Sequence, residues 1–106
     1  MLTHTLVFSF PDSMSGSDRE RFFGELANII GSSGIADSFV YRKHVPLAEE
    51  SHAPVFVSSA IAEVRCADLG TLEKLSVHPP LGEFTQRWMT AFPYQVVWVN
   101  SEDEAE

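Results

Sequence analysis

Hydrophobic and polar positions recur with two different periods along this chain, and each change of period marks an element. Thr3–Phe10 alternates residue by residue: His4, Leu6, Phe8 and Phe10 fall on one side, Thr3, Thr5, Val7 and Ser9 on the other. That period of two predicts a strand with one strongly apolar face. Pro11–Gly16 is rich in turn formers. Ser17-Asp18-Arg19-Glu20 then has the spacing of a capping box, and Phe22, Phe23, Leu26, Ile29 and Ile30 follow at helical spacing, up to the Gly31–Gly34 stop. A second strand is expected within Ile35–Val45, densest at Ser38–Tyr41, with Phe39 and Tyr41 on one face. Pro46–Pro54 is a polar, proline-flanked loop that carries His52, with His44 just before it; both histidines lack companions at ligand spacing and are expected at the surface. Val55–Cys66 is a third alternating stretch, one face of which is dominated by small side chains: Ser58, Ala60, Ala62 and Cys66.

Leu72–Phe92 is the most unusual stretch. Leu72, Leu75 and Val77 suit a short helix, for which Asp68 is a candidate N-cap; Leu81, Phe84, Trp88 and Phe92 suit a second one. Between them stand His78-Pro79-Pro80, and two prolines cannot occupy a helix interior. The residue before a proline is pushed out of the α region, so His78 is expected to end the first helix. There its imidazole serves as a C-cap or points into a cleft. Tyr94, Val96 and Trp98 then alternate with Gln95, Val97 and Val99, a fourth strand apolar on both faces.

The order is βαββαβ. It predicts an α+β, ferredoxin-like fold: a four-stranded antiparallel sheet with helices on one face, in a single domain over residues 1–100. Valines on the far face call for a cover, and a second copy of the chain meeting it sheet to sheet is the economical one. With 44% hydrophobic residues the chain is an ordinary globular sequence, and no apolar run reaches the ~20 residues a membrane span needs. The opening strand pattern is unlike a signal peptide, and the single Cys66 suits a reducing, cytoplasmic setting. Net charge is −8, with four acids in Ser101–Glu106, which is expected to be a disordered tail. A phosphate backbone needs a basic patch, and none is visible, so nucleic acid is not an expected partner.

Candidate chemistry is sparse. His4 shares its face with aromatic residues and therefore points at the core or a cavity in it. There it is either a buried imidazole satisfied by a backbone partner or an acid/base, since imidazole titrates near neutral pH. No metal-ligand spacing, glycine-rich phosphate loop or nucleophile-histidine-acid set is present, so neither a metal nor an organic cofactor is expected.

The His4-x-x-Val7-x-x-Phe10 frame, the His78-Pro79 pair, Phe84 and the final aliphatic strand resemble the Dabb family, the stress-responsive dimeric A/B barrel domains. The resemblance spans Leu2–Asn100. It implies a homodimeric α/β barrel, and it brings in a plant polyketide (olivetolic acid) cyclase that closes its substrate by aldol condensation without a cofactor. By that resemblance His4 and His78 are the catalytic candidates, and Tyr41, Ser58, Leu75, Leu81, Phe84 and Trp88 are pocket residues. The cyclase's acid/base histidine and assisting tyrosine correspond to Leu81 and Leu75, neither of which can move a proton. The resemblance thus implies a pocket for a small apolar or aromatic, polyketide-like ligand, with a cofactor-free cyclase or tailoring activity at His4. The alternatives are a non-catalytic stress-responsive dimer and a cofactor-free monooxygenase of related fold.

Overall fold

The computed structural model describes residues 1–52 and 57–103. The chain runs β1 (Leu2–Ser9), α1 (Gly16–Ser33), β2 (Ser38–Lys43), a short 3-10 turn (Ala48–His52), β3 (Ala60–Cys66), α2 (Leu69–Ser76), α3 (Pro79–Ala91) and β4 (Gln95–Glu102). The four strands form one antiparallel sheet in the order β2-β3-β1-β4. This is the ferredoxin-like α+β arrangement, with its second crossover split into two helices. Val55 and Phe56, at the start of the third expected strand, lie outside the described residues; residues 57–59 are not strand, and β3 begins only at Ala60, where its pairing with Phe8 of β1 and Lys43 of β2 begins.

Register explains the sheet's two faces. Opposed pairs such as Leu6↔Ala62, Phe8↔Ala60, Leu6↔Trp98 and Phe39↔Val64 put the even residues of β1, β3 and β4 and the odd ones of β2 on the helical side. Phe8, Phe10, Phe22, Phe23, Phe84 and Trp88 are all buried there. The small residues of β3 have a definite use. Ala62 leaves space over its strand in which Tyr41 stacks on Phe23, centroids 4.4 Å apart and planes 5° from parallel.

Three further boundaries differ from the expectation. Helix α1 begins one half-turn early: Ser15, not Ser17, is the N-cap, its hydroxyl accepting from the Asp18 amide at 3.1 Å while Asp18 accepts from the Ser15 amide. The buried Met14 fixes the chain just ahead of the helix, so the cap falls on the next residue, and Glu20 is left to pair with Lys43. The helix also runs through Gly31 and stops at Gly34, whose positive φ of 69° closes it. Finally, Ser101 and Glu102 are strand rather than tail, because β1 still offers Thr3 and Leu2 as partners. Beyond them the Asp103 amide donates to the Met1 carbonyl at 3.1 Å, and its carboxylate pairs with Arg65.

The Pro79-Pro80 corner is a helix start. Val77 ends α2, and His78 is the N-cap of α3, with the two prolines in its first turn where no donor is needed. The correction concerns which helix His78 belongs to. Its backbone carbonyl accepts from Leu81 and Gly82, and its imidazole makes no capping bond.

Candidate functional site

Between the helices and the β1–β4 half of the sheet lies a cavity of about 770 Å³. Its floor is His4, Leu6 and Phe8 of β1 with Val96, Trp98 and Asn100 of β4; α1, α2 and α3 supply the walls. That volume is within the range of small-molecule sites, and the lining is mostly aliphatic and aromatic.

His4 and Asn100 are directly opposed in the β1–β4 register, so both side chains leave the same face of the sheet. The His4 Nδ1 donates to Asn100 Oδ1 at 2.5 Å. An amide oxygen only accepts, so the neutral ring carries its proton on Nδ1 and keeps the Nε2 lone pair. Trp98 stands edge-on to the imidazole, centroids 5.6 Å apart, and is 66% exposed, at the solvent end of the cavity. The ring is therefore fixed by a side-chain amide and an indole, not by a backbone group.

Tyr94, the residue just ahead of β4, lies at the opposite, buried end of the cavity, among Phe8, Phe10 and Phe22. Burial pushes its phenol above the usual tyrosine range, and a hydrogen bond with Thr85 holds the shift back. Thr85 in turn donates to the Leu81 carbonyl at 3.0 Å. Glu73, Ser76 and Gln86 are the remaining side chains with hydrogen-bonding heads on the wall.

Of the residues singled out from sequence, the cavity gathers His4, Leu75, Leu81 and Phe84. Tyr41 is engaged in its stack on Phe23. Ser58 lies on a second cavity, also about 770 Å³, at the other end of the sheet, with Arg19, Lys43, His44 and Asp12. Trp88 packs behind the wall, where its indole N–H donates to Glu25 Oε2 at 3.0 Å. His78 is half-buried at the α3 start and does not line the cavity. Asn100, Tyr94, Thr85 and Glu73 were not singled out from sequence. Asn100 had a readable signal: it continues the Tyr94-Val96-Trp98 alternation by one step. Among the described residues no group of three or more His, Cys, Asp or Glu side chains is arranged to hold a metal ion, and Cys66 is buried with its thiol pushed up by desolvation.

No protein-family model matches the chain, and no curated protein matches it in sequence. Solved structures do. The Arabidopsis thaliana protein At3g17210 superposes with a TM-score of 0.81 at 18% identity, over 100% of this chain and 98% of its own. A Dabb family protein with a ferredoxin-like fold from Mesorhizobium loti matches with a TM-score of 0.75 at 16% identity, covering 98% and 97%. The fold is Dabb-type. A hydroxynitrile lyase from Passiflora edulis shares it, with a TM-score of 0.80 at 12% identity over 99% and 95%. Two further matches, from Bacteroides fragilis and Jannaschia, are dimeric ferredoxin-like proteins of unknown function. In the present chain the Dabb-type fold sets its helices on one side of the sheet, with the His4 cavity under them. Among the described residues no helix is long and apolar enough to cross a membrane.

Proposed function

We propose that this protein is a cytoplasmic Dabb-family homodimer that binds a small apolar or aromatic, polyketide-like molecule and moves a proton on it with His4, without a cofactor. The observation that carries the reading is the apolar cavity of about 770 Å³ with the His4–Asn100 pair on its floor. Leu75 and Leu81 are wall residues that leave this space open, so the cavity has room for a ligand. They also leave no partner for His4 at the positions that matter in the cyclase. The chemistry supported is therefore a single-base step: His4 Nε2 takes a proton from an acidic C–H or from a hydroxyl, while Asn100 accepts the Nδ1–H and steadies the imidazolium that forms. Loss of a proton from a hydroxyl is also the opening step of a carbon–carbon lyase, and the Passiflora enzyme of the same fold makes that the second reading.

The test has two parts. A neutral fluorescent probe such as N-phenylnaphthylamine should bind saturably, one per protomer, and Leu6→Trp, which fills the cavity from its floor, should abolish binding. A bound methyl ketone should then exchange its α-protons with deuterated water faster than in buffer, and His4→Ala should return the rate to background. Absence of saturable probe binding to the native protein would refute the pocket; exchange unchanged by His4→Ala would refute the base.

A further inference from the structure

Arg19 is placed unlike the other arginines. Arg21, Arg42, Arg65 and Arg87 each hold a carboxylate at the surface. Arg19 is half-buried in the first turn of α1, on the wall of the second cavity. Among the described residues it forms no ion pair, and its Nε is buried without a hydrogen-bond partner. The chain carries 15 acids against 7 bases, so the missing carboxylate reflects this place and not the composition. A buried N–H left unpaired costs stability and calls for an explanation. The guanidinium lies over the Phe10 ring, 5.4 Å from its centroid, and Phe10 is itself held by Phe8, Phe22 and Phe23. A guanidinium over a ring spends its flat face there and keeps the donors along its edge. Ser59, on the same cavity wall, accepts from the Phe10 amide at 2.9 Å and retains its own hydroxyl proton.

We propose that this second cavity binds a small organic carboxylate, with the anion on Arg19 and its apolar body against Pro11, Pro46 and Pro93. The planar fork of an arginine matches a carboxylate or a phosphate. The charges on the wall decide between them. Lys43 is tied to Glu20 and His44 stands against Glu50, which leaves Arg19 as the uncommitted cation of this wall among the described residues. Asp12 lies on the same wall, exposed and forming no ion pair with Arg19. One guanidinium balances a monoanion, whereas the second charge of a phosphate monoester would be desolvated near Asp12 without a partner. The site is separate from the His4 cavity, since no residue lines both. The two readings therefore stand or fall independently.

The test is an amide chemical-shift titration by nuclear magnetic resonance with benzoate, its neutral counterpart benzamide, and phenyl phosphate. Benzoate should bind saturably and move the backbone amides of Phe10, Arg19 and Ser59, leaving those of His4 and Asn100 in place. It should bind about tenfold more tightly than benzamide, the scale of one charge-assisted contact. It should also bind more tightly than phenyl phosphate. Arg19→Gln should bring benzoate to the level of benzamide. Arg19→Lys, which keeps the charge and leaves the fold intact even if Arg19→Gln does not, should weaken benzoate severalfold, because an ammonium has no fork. Asp12→Asn should tighten benzoate, most clearly at low salt. Benzoate binding no tighter than benzamide, an affinity that neither Arg19 substitution alters, or shifts confined to the His4 cavity would overturn the proposal. Phenyl phosphate binding more tightly than benzoate would overturn the carboxylate assignment.

Discussion

Glu25 shows how much one side chain can hold. Its carboxylate accepts from the Trp88 indole at 3.0 Å and from Arg87 at 2.9 Å, and so joins α1 to α3 across the aromatic core. The Trp88 bond first, then Arg87, keeps its carboxyl below the usual glutamate range. The folded protein therefore binds this proton less readily than the unfolded chain does. Its contribution is full above the ordinary carboxylate range, about pH 4, and is lost as pH falls through the lower folded value. The urea midpoint of the native protein should accordingly drop more steeply on acidification than that of Glu25→Gln, which keeps an acceptor oxygen for the indole but cannot titrate. Glu25 is half-exposed, so the difference will be modest. At the same scale, His4 and its inward face were legible because strand alternation fixes sidedness. Its partner was not: pairing His4 with Asn100 needs the β1–β4 register, and no local pattern carries a register between strands almost a hundred residues apart. Trp88 and Tyr41 were expected as pocket residues, and neither lines the cavity: whether an aromatic ring faces a void or another ring depends on neighbours from other elements.

Element boundaries follow from capping chemistry, and two caps here make different predictions. Asp68 caps α2 fully, accepting from both the amide and the hydroxyl of Thr71 at 2.8 Å. His78 heads α3 with no side-chain bond at all. The first amides of α3 are served instead by the prolines, which have none to satisfy, and by the His78 carbonyl. Replacing His78 by Ser should therefore change stability little, because the two prolines have no amide to cap and the Leu81 amide is already bonded to the His78 carbonyl, whereas Asp68→Ala should cost about 1 kcal/mol. Thermal or urea unfolding measures both. His78→Ser also separates structure from chemistry: it should leave ligand binding and proton exchange unchanged, since His78 is not on the cavity wall. The broken helix itself was plain in the sequence, because Pro-Pro admits no continuous helix. Which of the two helices owned the histidine was not, since a residue ahead of proline is extended whether it closes one helix or opens the next.

At the scale of the molecule the decisive feature is thinness. It measures 40 × 38 × 17 Å, one sheet and one layer of helices, so among the described residues nothing lies over the far face of the sheet. Register places Val7 beside both Ile61 and Val97, with Val99 on the next row, opposite Thr5. Val97 and Val99 are more than half exposed. Next to this apolar strip the Arg42–Glu63 ion pair spans β2 and β3 on the same face. A strip of valines beside a pair of opposite charges is self-complementary about a two-fold axis: the apolar rows can meet, and each arginine can face the other copy's glutamate. A standard protein interface buries about 800 Å² per partner, so the pairing has to engage the sheet face broadly and not the valine strip alone. Sedimentation of the native protein should accordingly give a dimer at micromolar concentration. Val97→Glu should give a folded monomer, because a carboxylate in the middle of a dry interface would be stripped of water with no cation opposite it. Far-ultraviolet circular dichroism should be unchanged in that variant, since Val97 contributes nothing to the helical side. Trp98 neighbours Val97 on the strand but turns to the cavity, so probe binding in the monomer reports whether the cavity depends on the second copy. A native protein that sediments as a monomer would refute the dimer outright, and would leave the valine strip without a partner.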